Sequence, residues 1–427
     1  MRLIDVKAFL DFDAGKSGLE AQLLVEFGGA KLAEIAYAIL SHCWGAPKDE
    51  VQYTEMVSLT NMDALARNKI QRRSGYLKIR KSCELALEDH LDWLWVDTCC
   101  IDRRGSAELS EAINSMYVWY ANSDRCYAFL HDTEALCASH RPRRQVYRWF
   151  SRGWTLQELI APVNVHFLNQ KWEYIGDKQG CAPSLSVITR ISVDVLEEGL
   201  GRTSPSVAQI MSWAADRTTA REEDRAYSML GLLGVHMPIL YGEGKNAFLR
   251  LQLEVIRTVN DQSIFAWGST MNHGWSSSFL ADDLSQFRDC STVENTDRDK
   301  FHRILGKSLS KRAFRRVASA EERNRTFAVT NDGIHIWLPL RLHQRSTGSE
   351  IFSATLSCYD SQKGSEAMII FIQKYNSNYS RLFRAPLPAD DEGKQPVKFQ
   401  SVLLPYRKSI HRKVRGPLSP QARCNFS

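Results

Sequence analysis

Apolar positions in the first half of the chain fall into short runs separated by longer, helix-periodic stretches. "YAILS", Tyr37 to Ser41, is an apolar run that closes on small and polar residues and predicts a buried strand followed by the loop "HCWG". "GYLKIRKSCELALEDHLDW" repeats apolar residues at Leu77, Cys83, Leu87 and Leu91 with charges between them, a helical pattern. "WLWVD", Trp93 to Asp97, predicts a second buried strand. In "SAELSEAINSMYVWYANS", Leu109, Ile113, Met116, Tyr117 and Tyr120 share one helical face, with Ser106 as the expected N-cap. "RCYAFL", Arg125 to Leu130, and "VNVHFL", Val163 to Leu168, complete four strands, the last preceded by a short helix within "SRGWTLQELIAP". Strands alternating with helices imply a mainly parallel α/β sheet with helices on both faces. Ligands of such sheets bind at the carboxyl ends of the strands, where Ser41, His42, Trp44, Asp97 and "TCCIDRRG" are expected.

Beyond Gly176 the pattern is more helical, with "SVAQIMSWAADRTTAREEDRAYSMLGLLG" and "NAFLRLQLEVIRTV" reading as amphipathic helices. From about Gly268 the chain is strand-rich. "RTFAVTNDGIHIWLPL" predicts a hairpin turning at Asn331-Asp332-Gly333, and "IFSATLSCYD" and "EAMIIFIQKY" a further strand pair. The expected division is 1–175, 176–267, a β-rich region 268–407 and a basic flexible tail 408–427. No internal repeat is evident.

Composition adds bounds. The 427 residues, 44% hydrophobic and 24% charged, are ordinary for a globular chain of about two or three domains. A net charge of +6 is too mild to mark a nucleic-acid binder, and no nucleic-acid partner is expected. The ten cysteines form neither a CxxC nor a cysteine–histidine cluster of zinc spacing, so no metal site is expected and a reducing compartment is. The N-terminal apolar stretch is broken by acidic residues, and no apolar run reaches membrane-spanning length. The expectation is a soluble, cytoplasmic protein without a membrane partner.

Several chemistries can be set aside. Gly15-Lys16-Ser17 has Leu10 where a phosphate loop needs glycine, "LYGEGKNAF" fails likewise, and Gly-x-Gly-x-x-Gly is absent. Ser41 and His42 are adjacent on a strand and point to opposite sides, so they cannot act as nucleophile and base for each other. Gly-x-Ser-x-Gly is missing. Cys99-Cys100 follows a buried strand, where packing is the ordinary role. What remains are carboxylates and aromatics. Asp97 ends a buried strand, where a charge is costly without a partner or a function. Asp102, Glu108 and Glu111 follow it, the last two readable as a solvated helix face. Trp154 and Glu158 are four apart on one helical face; spacing leaves open whether they form a ligand wall or simply pack.

Taken in order, "YAILSHCWG", "WLWVDTCCIDRRGSAELSEAINSMYVWYANSDRCYAFL" and "WFSRGWTLQELIAPVNVHF" resemble the three blocks of the fungal heterokaryon incompatibility (HET) domain. The resemblance extends over roughly residues 1 to 267, through the segment that often follows this domain. It implies a role in allorecognition and cell death, with self-association through the domain. The family is distantly similar to Toll/interleukin-receptor (TIR) domains, which implies a flavodoxin-like fold. Ser41 and Asp97 end the first two strands, Gly105 leads a helix, and "RGWTLQEL" aligns Trp154, Leu156, Glu158 and Leu159 with the plant pattern, Thr155 replacing a cysteine. In enzymatic members of that class the matched glutamate cleaves NAD, so the resemblance implies Glu158 as catalytic carboxylate. The implied substrate-binding set is Ser41, His42, Trp44, Gly45, Asp97, Asp102, Glu111, Arg152 and Trp154. NAD enters as substrate, and no cofactor is expected. Two alternatives stay open: a non-enzymatic module acting by homotypic association, and a hydrolase using Cys100 or Ser41.

Overall fold

The structure, a computed structural model, describes residues 1–16, 21–136, 147–268, 275–276, 278–323, 326–346, 348–364, 366–375, 378–383 and 397–406. The expected basic tail 408–427 and most of the basic loop before Trp149 lie outside these residues. The chain forms two compact units: Met1–Thr270 with Ala281–Ile304 and Leu356–Met368, and Met271–Leu280 with Leu305–Thr355 and Ile369–Ser427.

The first unit is built on a seven-stranded sheet: β1 (Arg2–Asp5), β2 (Leu24–Glu26), β3 (Ala38–His42), β4 (Trp93–Val96), β5 (Arg125–Phe129), β6 (Val165–Leu168) and β7 (Tyr174–Asp177). Their order across the sheet is β2-β1-β4-β3-β5-β6-β7. Strands β4, β3, β5 and β6 are mutually parallel, and β1, β2 and β7 add antiparallel edges. The four parallel strands are those expected from the apolar runs, because a strand covered on both faces has no polar side to show. All five residues of β3 are buried. In sequence order the parallel strands lie second, first, third, fourth, so the chain switches direction between β3 and β5.

Helices flank this sheet. Asp5 caps the Val6–Asp13 helix by accepting from Ala8 N at 2.8 Å. That helix packs on the Ser74–Glu88 helix, with the rings of Phe9 and Tyr76 at 5.4 Å. The Ser74–Glu88 helix lies against β4 and buries Gly75, Tyr76, Lys78, Ile79, Ser82, Cys83 and Ala86. Cys83 is buried as expected, but Leu77 and Leu87 are 40% and 52% exposed, because the helix approaches through Tyr76, Lys78, Ile79 and its small residues rather than through these leucines. The Ser106–Ala121 helix buries Ala112, Ile113, Met116 and Tyr120; its N-cap is Gly105, so Ser106 occupies the first helical turn. Asp97 belongs to the short helical turn Asp97–Cys100 rather than to β4.

The stretch read as one long helix around residue 215 is instead the helix Val207–Ala214, an extended passage and the short helix Asp224–Tyr227. Ser206 and Gln209 form a capping box at the start of the first. The break has a backbone cause: Gly153 N donates to Thr218 O and Thr218 N to Ser151 O, at 2.9 and 2.7 Å. The Asn246–Thr258 helix is as expected. Also in this unit, Val293–Asn295 pairs antiparallel with Cys358–Asp360. Among the described residues Cys43, Cys83, Cys99, Cys100, Cys126 and Cys358 are buried thiols, as small packing residues are, whereas Cys181 is disulfide-bonded.

The second unit is antiparallel. Ile334–Ser346 pairs with Lys398–Leu404 along seven residues and with Ser349–Ala354 on its other side. The predicted hairpin is present, Ala328–Val329 pairing with Ile334–His335 across Asn331-Asp332-Gly333. Among the described residues no helix is long and apolar enough to cross a membrane.

Candidate functional site

Two consecutive residues at the carboxyl end of β3 organise the site. Ser41 and His42 point to opposite faces of the sheet, as alternation along a strand requires. Each meets a different carboxyl group.

On one face Ser41 Oγ donates to Glu158 Oε2 at 2.5 Å and accepts from Trp149 Nε1 at 2.9 Å. Glu158 lies on the Thr155–Ile160 helix, whose six residues are all buried. The start of that helix is fixed from two directions. Thr155 Oγ1 donates to Trp149 O at 2.5 Å, and Arg217 Nη1 donates to Thr155 Oγ1 and Arg152 O at 3.0 and 2.8 Å. Gly153 is required by close approach: a Cβ there would stand 2.5 Å from Thr219 Cγ2.

On the other face His42 Nε2 lies 3.3 Å from Asp97 Oδ1, and Trp44 Nε1 donates to Asp97 Oδ2 at 2.9 Å. Arg103 stands over the Trp44 ring, 4.0 Å from its centroid, and 3.7 Å from Asp97 Oδ2. Behind His42 lies a buried ion pair, Lys78 Nζ to Glu50 Oε1 at 2.6 Å. Gly45 N donates to the same Glu50 oxygen at 2.7 Å.

The two carboxyl groups are driven apart in acidity. Burial pushes Glu158 up to about 8; the Ser41 hydrogen bond opposes this, the nearby Asp97 charge adds to it, and Arg152 and Arg217 pull it back. Burial also works against ionised Asp97, but the hydrogen bond from His42, with the Arg103 charge and the Trp44 hydrogen bond, outweighs it and holds Asp97 below its ordinary value. Burial lowers Arg217 to about 9, with Glu158 opposing, and among the described residues its Nη2 has no hydrogen-bond partner. At neutral pH the site therefore holds one carboxyl protonated and one ionised, set apart by their surroundings.

Of the expected residues, Ser41, His42, Trp44, Gly45, Asp97 and Glu158 are joined in this network. Arg152 contributes its backbone carbonyl and its charge. Trp154 is directed elsewhere, its side chain favouring the ionised form of Asp224. Asp102 spends its carboxylate on Arg104, at 2.9 and 2.7 Å, and Glu111 is exposed on its helix. Sequence reasoning missed Trp149, Glu50, Lys78, Arg103 and Arg217. Trp149 stood in the quoted "WFSRGWTLQEL", but the four-apart rule favoured Trp154. Glu158 is only 7% exposed and Ser41 fully buried, so the inner site is closed, while the Asp97 side chain is 19% exposed. A cavity of about 740 Å³ in the second unit is lined by Arg312, Arg316, Lys398 and Phe399, none of them an expected site residue. Among the described residues no cluster of His, Cys, Asp and Glu could hold a metal ion.

Residues 37–148 match the family model described as heterokaryon incompatibility protein (HET). This stretch of the chain is similar to the HET domain. Residues 246–342 match a second model, described as a domain of unknown function (DUF8212). The vegetative incompatibility protein HET-E-1 of Podospora anserina is 42% identical over 226 residues, which are 52% of this chain and 16% of that protein. No solved structure matches. The HET match takes in Ser41, His42, Glu50, Lys78, Asp97 and Arg103 and ends at residue 148, so Trp149, Glu158 and Arg217 lie beyond it.

Proposed function

We propose that this protein is an effector of fungal incompatibility whose HET domain is TIR-like and cleaves the nicotinamide–ribose bond of NAD, with Glu158 as the catalytic carboxylate. The observation that carries the reading is the buried Glu158–Ser41 pair at the carboxyl edge of the parallel sheet, beside an ionised Asp97. The order of the parallel strands is that of flavodoxin-like sheets, whose ligands bind at such an edge.

The chemistry follows from charge. Nicotinamide in NAD is cationic and leaves neutral, so departure needs no acid. Bond cleavage puts positive charge on the ribose ring. An approaching cation favours the ionised form of Glu158, which gives its proton to solvent and becomes the counter-charge for the transition state. Water then attacks the ribose carbon and gives one proton to the Glu158 carboxylate, leaving a new ribose hydroxyl, neutral nicotinamide and a reprotonated Glu158. Ser41 holds the carboxylate in place, and Asp97, at the partly exposed mouth, accepts a ribose hydroxyl. Arg103, stacked on Trp44, receives a phosphate. Because Glu158 is covered in this state, access requires opening of the site, and self-association of the domain is the proposed trigger.

The test is nicotinamide release from NAD by the full chain under conditions that promote assembly. Wild type should exceed Glu158→Gln by at least ~10²-fold, the scale of a lost transition-state charge partner. Equal release by the two, with both folded, removes the enzymatic reading. Cell killing that then survives Glu158→Gln would assign the domain to signalling by association alone.

A further inference from the structure

The ammonium of Lys78 is buried among three acceptors. Its Nζ lies 2.6 Å from Glu50 Oε1, 3.0 Å from Cys43 O and 3.1 Å from His42 Nδ1. An ammonium has three N–H donors and no acceptor, so three neighbours use all of them. A carboxylate and a backbone carbonyl can only accept. The third neighbour must accept as well, which leaves His42 Nδ1 without a proton. The other ring nitrogen faces Asp97, also an acceptor, and must carry one.

From this geometry we infer that Lys78 is a positioning residue: with Glu50 behind it, it holds His42 in the Nε2–H form, and His42 thereby orients Asp97 at the sheet edge. The chain of contacts runs Glu50, Lys78, His42, Asp97, four residues from three separate segments. Its construction is specific. Glu50 Oε1 is shared by Lys78 Nζ and by Gly45 N, so the loop after β3 and the Ser74–Glu88 helix close on one oxygen. Gly75 permits that approach, since a Cβ there would stand 2.6 Å from both Glu50 Cα and Oε2. Asp97 receives Trp44 Nε1 on its second oxygen, so its plane is fixed from two sides. The groups facing this chain are Arg103 on Asp97 and, across the strand, Ser41 with Glu158. A proton on Nδ1 would point at the ammonium, so loss of Lys78 removes the cation that opposes a second proton and leaves His42 between the Asp97 and Glu50 carboxylates, which favour that proton against the cost of burial.

The part Asp97 plays in NAD cleavage rests on the proposed function; the tautomer does not, and it is read without any substrate. The probe is the full chain labelled with ¹⁵N-histidine, observed by long-range ¹H–¹⁵N correlation at pH 7, with the His42 signals identified by their loss in His42→Gln. Wild type should show His42 with a bare Nδ1 and a protonated Nε2. A proton on Nδ1 in wild type overturns the inference outright, before any variant is made. In Lys78→Met the bare-Nδ1 signal should be lost and replaced by the doubly protonated ring. Where that variant does not fold, Lys78→Met combined with Glu50→Gln removes both buried charges and answers the same question. A His42 ring unchanged in either folded variant overturns the role given to Lys78.

Discussion

The two faces of β3 at its carboxyl end handle a carboxyl group in opposite ways. On the Ser41 face, Glu158 has a hydroxyl for its direct partner and, among the described residues, no ion pair, and its proton is retained to about pH 8. On the His42 face, Asp97 is surrounded by His42, Trp44 and Arg103, backed by Lys78 and Glu50, and stays ionised. The residues that divide these two worlds are neighbours in sequence. What differs is how many donors each face supplies against the cost of burial, and that alone separates an acid from a base across one strand.

The comparison can be broken from either side. The largest effect is expected on the charged face. Lys78→Met leaves Glu50 buried without its counter-charge and should cost roughly 3–5 kcal/mol in denaturant unfolding. On the neutral face the sign reverses. Glu158 takes a proton on folding in the window between its ordinary 4.5 and about 8, so its contribution to stability falls as pH rises through that window. Glu158→Gln should therefore raise Tm at pH 8, by the equivalent of a few kcal/mol at most, and change it little at pH 4. A smaller loss, about 1–3 kcal/mol, is expected for Gly153→Ala, whose Cβ would collide with Thr219. It should reduce NAD cleavage as well, because the start of the Glu158 helix must shift. The smallest effect is a displacement in pH. The kcat/KM for NAD should rise with pH toward about 8 as Glu158 ionises in the free protein, and Ser41→Ala, which removes the bond favouring the carboxylate, should move that rise to higher pH.

Much of the charged face was legible from sequence only at its tip. Asp97 was readable because it ends an apolar run, and Ser41 for the same reason. Lys78 was not, because helix periodicity marks leucines as the inward face, and here Leu77 and Leu87 point out while a lysine points in. A buried lysine carries no signature until its acceptors, 28 and 36 residues away in Glu50 and His42, are seen around it. The parallel strands were legible from their uninterrupted hydrophobicity. The antiparallel edges were not, since β2 has three residues and β1 runs directly into a helix. Arg217 escaped for another reason. It sits in a stretch whose helical periodicity is overridden by backbone pairing of Thr218 with Ser151 and Gly153. This pairing also joins the segment after residue 176 to the Glu158 helix, so the site is completed by residues outside the HET match.

The central claim is that Glu158 keeps its proton at neutral pH while Asp97 does not. Infrared difference spectra of wild type against Glu158→Gln, recorded from pH 5 to 10, report this directly. The account predicts a protonated-carboxyl carbonyl band in wild type at pH 7, absent from Glu158→Gln, retained in Asp97→Asn, and titrating away near pH 8. A wild-type spectrum with Glu158 already a carboxylate at pH 7, or a protonated band that vanishes in Asp97→Asn instead, would contradict it.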